Sequence, residues 1–113
     1  MYGRDSTVER KEHMRLQVLV RKTLSDKHWF VVGLEHCVAG QGESMLAALN
    51  AFLVDLAQQI ILDRAAGCEP LSETPPADAE FWEQYQKSPL RLILDVPMPE
   101  PARDWVPDIR VAA

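Results

Sequence analysis

Residues 40–66 read GQGESMLAALNAFLVDLAQQIILDRAA, and the periodicity of the chain changes inside this stretch. Met45, Leu49, Phe52, Leu53, Leu56 and Ile60 share one side of a 3.6-residue period, the pattern of an α-helix with one buried face. Ser44 stands where a hydroxyl can accept a hydrogen bond from an orphaned amide at the helix start. Gly67 can take the left-handed conformation that ends a helix. The spacing therefore predicts a helix over 44–66. Leu46, Val54, Ala57 and Ile61 widen its apolar arc beyond one stripe. Either later segments cover these residues, or they form a second contact surface for a partner protein.

Upstream of the helix the period is two. Leu16, Val18 and Val20 alternate with Gln17, Leu19 and Arg21, as in a half-buried strand. Ser25-Asp26-Lys27 reads as a polar turn, and Trp29–Leu34, rich in β-branched and aromatic residues, as the second strand of a hairpin. A third short strand is expected over His36–Gln41. Gly40 and Gly42 read as turn residues between strand and helix. They do not make a dinucleotide-binding loop, because Met45 stands where the third glycine would fall.

Downstream, residues 77–87 predict a short helix carrying Phe81, Trp82 and Tyr85. Leu90, Leu92, Leu94 and Val96 alternate with Arg91, Ile93 and Asp95 as a fourth strand. The order β-β-β-α-α-β predicts an antiparallel α+β fold with the long helix packed on one face of the sheet. Residues 1–14 read as a leader and 15–96 as the domain. Residues 97–113, with Pro97, Pro99, Pro101 and Pro107, read as an extended tail that cannot hold a helix-turn-helix. If that tail is loose, deleting residues 101–113 should leave the melting temperature almost unchanged.

Composition bounds the function. A chain of 113 residues allows one domain with a real core. Its net charge is −5, and the first 27 residues are basic, so the acidity belongs to residues 28–113. Broad nucleic-acid binding is not expected of such a body. No uninterrupted apolar run approaches the roughly 18 residues of a membrane span, and the polar N-terminus is no secretory signal. The two cysteines, Cys37 and Cys68, form no paired motif, which predicts reduced thiols and a cytoplasmic setting.

No catalytic constellation emerges. A two-metal nuclease needs converging carboxylates, and Glu35, Asp63 and Asp95 are scattered along the chain. His36 and Cys37 are neighbours on an expected strand, so they point to opposite faces, and Cys37 reads as a buried structural thiol. Phe81, Trp82 and Tyr85 lie among Asp78, Glu80 and Glu83, which favours packing or a protein partner over base stacking. Catalytic residues, cofactor and metal are therefore expected to be absent. The candidate partner-binding residues are Leu46, Val54, Ala57, Ile61 and Trp82.

The stretch Trp29–Leu49 resembles the HicB-like antitoxin family. A strand ends in Leu34-Glu35, Gln41-Gly42 matches the family's turn, Ser44 its cap and Ala48-Leu49 its helix start. Gln59-Ile60 through Gly67, Pro70-Leu71 and Phe81-Trp82 resemble the downstream part of a subgroup, so the likeness covers roughly residues 16–88. Leu46 and Ala47 replace the usual acids before Ala-Leu, which makes this helix more apolar. The family's C-terminal DNA-binding domain has no counterpart in the proline-rich stretch, so direct DNA binding is not expected. The resemblance implies a degraded, non-catalytic ribonuclease-H-like fold that self-associates and inhibits a small HicA-like ribonuclease toxin. The alternative is a stand-alone oligomerising adaptor, or a mobile-element inhibitor of a host nucleic-acid machine.

Overall fold

The computed structural model describes residues 14–23, 27–94 and 97–112. All of the expected leader but Met14 lies outside this range, as do Ser25 and Asp26 of the expected turn and Asp95 and Val96 of the expected fourth strand. The elements are β1 (Met14–Lys22), β2 (Trp29–Gly33), β3 (Ala39–Gly42), α1 (Met45–Ala65), α2 (Ala79–Gln86), β4 (Leu90–Leu92) and β5 (Trp105–Val111), with a 3₁₀ turn at Glu100–Ala102. The protein is an α+β fold around one five-stranded sheet of order β3-β2-β1-β5-β4.

The sheet is mixed, which corrects the all-antiparallel expectation. β1 runs antiparallel to β2 but parallel to β5, from Met14 beside Trp105 to Val20 beside Val111. The proline-rich segment is not a tail: β5 lies inside the sheet, between β1 and β4. Pro107 is compatible with this place. The Ala112 amide donates to the Val20 carbonyl at 2.8 Å, so alternation turns the even-numbered peptide groups of β5 toward β1 and the odd-numbered ones away. Pro107 thus lacks its N–H on the other side, at a point that β4 does not reach. β4 pairs only with Ile109–Val111 and stops at Leu92, short of the strand expected through Val96.

Each face of the sheet carries a helix. Leu16, Val18 and Val20 from β1, Val31 from β2 and Ile109 and Val111 from β5 pack with Phe52, Leu56 and Ile60 of α1. On the opposite face Leu19, Val32 and Leu34 pack with Ala77 and Tyr85, flanked by Phe30, Phe81 and Trp82. Leu19, read from periodicity as an outward position, is fully buried because α2 forms this second layer.

α1 begins as expected: the Ser44 hydroxyl accepts from the Ala47 amide at 3.0 Å. Gly67 beyond its end has φ +79°. By length and composition alone α1 could cross a membrane, a possibility hidden by counting only uninterrupted apolar runs. Here its inner stripe is the core of the sheet, and its Asp55 carboxylate accepts from the Ala39 amide at 3.2 Å.

Gly40 and Gly42 are strand residues rather than turn residues, and their role is close approach. A Cβ on Gly40 would stand 2.3 Å from the Phe52 amide nitrogen, and one on Gly42 2.7 Å from the Ala47 side chain. The missing side chains let α1 lie directly on β3.

Tyr85 anchors the second layer. It is 2% exposed, and its hydroxyl donates to the Asp108 carbonyl at 3.0 Å. Burial, and then the Asp108 carboxylate, push its phenol above the ordinary value of 10.0. The folded state therefore holds this proton more tightly than the unfolded chain. That stabilisation is complete below about pH 10 and is lost as pH rises through the higher folded value. Tyr85→Phe should cost about 0.5–1.5 kcal/mol at neutral pH and flatten the loss of stability above about pH 10. Urea titrations of both proteins across the alkaline range measure this.

Candidate protein-binding surface

Beside its buried stripe α1 carries a band of apolar side chains along one sector, with Asn50 and Arg64 set among them. Leu46, Val54 and Ile61 are 61%, 57% and 52% exposed, and Ala57 between them is half-buried. At 100° per residue these four positions share a sector of the helix next to its buried stripe. Leu62, 63% exposed, continues the apolar surface round the helix end. Sequence reading misses it, although its apolarity inside a predicted helix is visible.

The band borders a groove of about 450 Å³ lined by Asn50, Leu53, Val54, Ala57, Gln58, Pro97 and Pro99. Leu53, only 8% exposed, forms the floor that joins the band to the core. The prolines come from the segment leading to β5, so the groove exists only because that segment returns across α1.

Trp82 is not part of this surface. It sits on α2, on the opposite face of the sheet, half-buried, with its indole N–H donating to the Ala77 carbonyl at 3.1 Å. The partner-binding set thus divides into four residues on α1 and one aromatic that packs in the second layer.

Of the three acids weighed for a nuclease, Glu35 and Asp63 are each engaged by backbone amides. Glu35 accepts from the Gln17 amide at 2.8 Å. Asp63 holds the turn after α1, accepting from the Leu71 amide at 2.7 Å and from the Gln59 side chain at 3.1 Å. Those bonds secure Leu71, a buried residue at φ 66°, a conformation unusual without glycine. Asp95 lies outside the described residues. Among the described residues no group of three His, Cys, Asp or Glu side chains is placed to hold a metal ion. Cys37 is exposed rather than buried, because the chain bends there and its amide donates to the Pro75 carbonyl at 2.8 Å. The His36 ring meets Trp105 edge-on at 5.5 Å.

The fold and surface define an α+β protein with an apolar helix face that is exposed among the described residues. No protein-family model, curated protein or solved structure matches the chain.

Proposed function

We propose that this chain is a non-catalytic, HicB-like binding protein that inhibits a small basic ribonuclease in the manner of an antitoxin. The observation that carries the proposal is the apolar band of Leu46, Val54, Ala57 and Ile61 beside its groove. Isolated apolar residues on a surface need no explanation, but several on one helix sector beside an apolar groove do. The likeness of Trp29–Leu49 to the family's strand, turn, cap and helix start supports the kind of partner. The net charge of −5 supports it as well, since an acidic inhibitor is steered toward a basic enzyme.

Co-expression with a small basic ribonuclease toxin of the HicA kind tests the reading. Restored growth and a complex of fixed stoichiometry are expected, with both lost in the double variant Val54→Asp and Ile61→Asp. That variant changes exposed side chains, so it should still fold. Toxicity without any complex would overturn the reading. A homo-oligomer formed through α1 and indifferent to the ribonuclease would favour the stand-alone adaptor.

A further inference from the structure

Among the described residues the sheet ends at β4, with no strand beside its outer edge. We propose that this edge takes an extended strand from a partner protein, with an acidic residue opposite Arg91 and apolar residues on either side of it. The edge is separate from the band on α1, and its occupancy does not depend on that band.

Arg91 stands directly opposite Arg110 across the β4–β5 pair. Like charges so placed repel each other, and an acid beside them would relieve the repulsion. Arg110 is already engaged: its guanidinium lies 4.6 Å over the Tyr85 ring and donates to the Tyr85 carbonyl at 3.3 Å. Its Nε is buried without a partner. Asp108, the nearest acid along β5, is paired with Arg15 at 2.9 Å. Among the described residues Arg91 has neither an ion pair nor a hydrogen bond from its side chain.

The backbone agrees with the charges. With the odd-numbered peptide groups of β5 turned toward β4, Leu90 pairs with Val111 and Leu92 with Ile109 through hydrogen bonds. The amide and carbonyl of Arg91 then face outward, the one donor–acceptor set a guest strand needs at the centre of this edge. The flanking apolar surface is also exposed: Leu90 is 63% and Ile93 86% accessible. Strand addition of this kind takes affinity from main-chain hydrogen bonds and specificity from alternate side chains. A guest reading apolar–acidic–apolar places its acid on the face of Arg91 and Arg110 and its apolar residues on the face of Leu90 and Leu92. A second copy of this chain is a poor occupant, because a symmetric pairing centred on Arg91 would set that residue against its own copy.

The test uses the whole chain and a fluorescein-labelled peptide with a Val-Glu-Val core, followed by fluorescence anisotropy. Saturable binding that weakens with added salt is expected. A peptide with lysine in place of glutamate, and one with a methylated backbone nitrogen at the glutamate, should each bind about tenfold more weakly or worse. Arg91→Glu should reverse the preference between the glutamate and lysine peptides. Should that variant not fold, Arg91→Gln, which removes only the charge, should abolish the preference. No saturable binding, equal binding of the methylated peptide, or an unchanged preference in the Arg91 variants would overturn the proposal. So would a homodimer that Arg91→Glu dissociates.

Discussion

Ending the chain at Asp104 is expected to abolish cooperative unfolding. The truncation removes β5, and with it Trp105, Ile109 and Val111, all at least nine-tenths buried. Each such side chain contributes about 1.5–3 kcal/mol through burial, so together they approach the whole stability of a small domain, about 5–15 kcal/mol. Further losses add to this. Among the described residues β1 would have no neighbour along Met14–Val20 on that side, β4 would lose the strand it pairs with, and the Tyr85 hydroxyl would lose the Asp108 carbonyl. Circular dichroism of the truncated chain should show no sigmoidal melt. A melting temperature within about 2 °C of the full chain would mean that β5 is no part of the sheet, as expected for a loose tail.

Gly40→Ala is expected to be the most damaging glycine-to-alanine change among the described residues. The three atoms nearest the added Cβ are all backbone: the Phe52 amide nitrogen at 2.3 Å, the Ala48 carbonyl oxygen at 2.7 Å and the Ala51 carbonyl carbon at 2.8 Å. No rotamer relieves such contacts, so α1 must lift away from β3, and the packing of Phe52 and Leu56 moves with it. Overpacking a core by a methylene or two costs about 1–3 kcal/mol when side chains can adjust. Here they cannot, and about 3 kcal/mol or more is expected, a fall of more than roughly 10 °C in Tm. Gly67→Ala is the matched comparison. Nothing lies within 4 Å of its added Cβ, and only its φ of +79° opposes the change. Its cost should be about 1–2 kcal/mol. Equal losses at the two glycines would contradict the close approach of α1 to β3.

The two glycines show where local reading stops. Gly67 is legible because a helix end needs a residue tolerant of positive φ, and the signal lies beside it in the chain. Gly40 reads as a turn residue because its requirement comes from Ala48, Ala51 and Phe52, which reach it only after the helix has folded back. The same limit governs the candidate surface. The apolar excess on α1 is visible as periodicity, which picks out Leu46, Val54, Ala57 and Ile61. Trp82 joins them in a sequence reading because sequence carries no record of which face of the sheet a second helix covers.

From the chain alone came the elements set by near neighbours: the existence of strands β1 and β2, the amphipathic run of α1, the Ser44 cap and the α+β class. These depend on hydrogen bonds and side-chain periods that close within a few residues. The tertiary structure alone decided the place of β5, the parallel pairing with β1, the burial of Leu19 and the position of β4 as the last described strand of the sheet. A strand interrupted by Pro107 and preceded by three further prolines carries little local signature. Its place becomes determined only when β1 offers an open edge some 90 residues away and the absent N–H of Pro107 can face away from it.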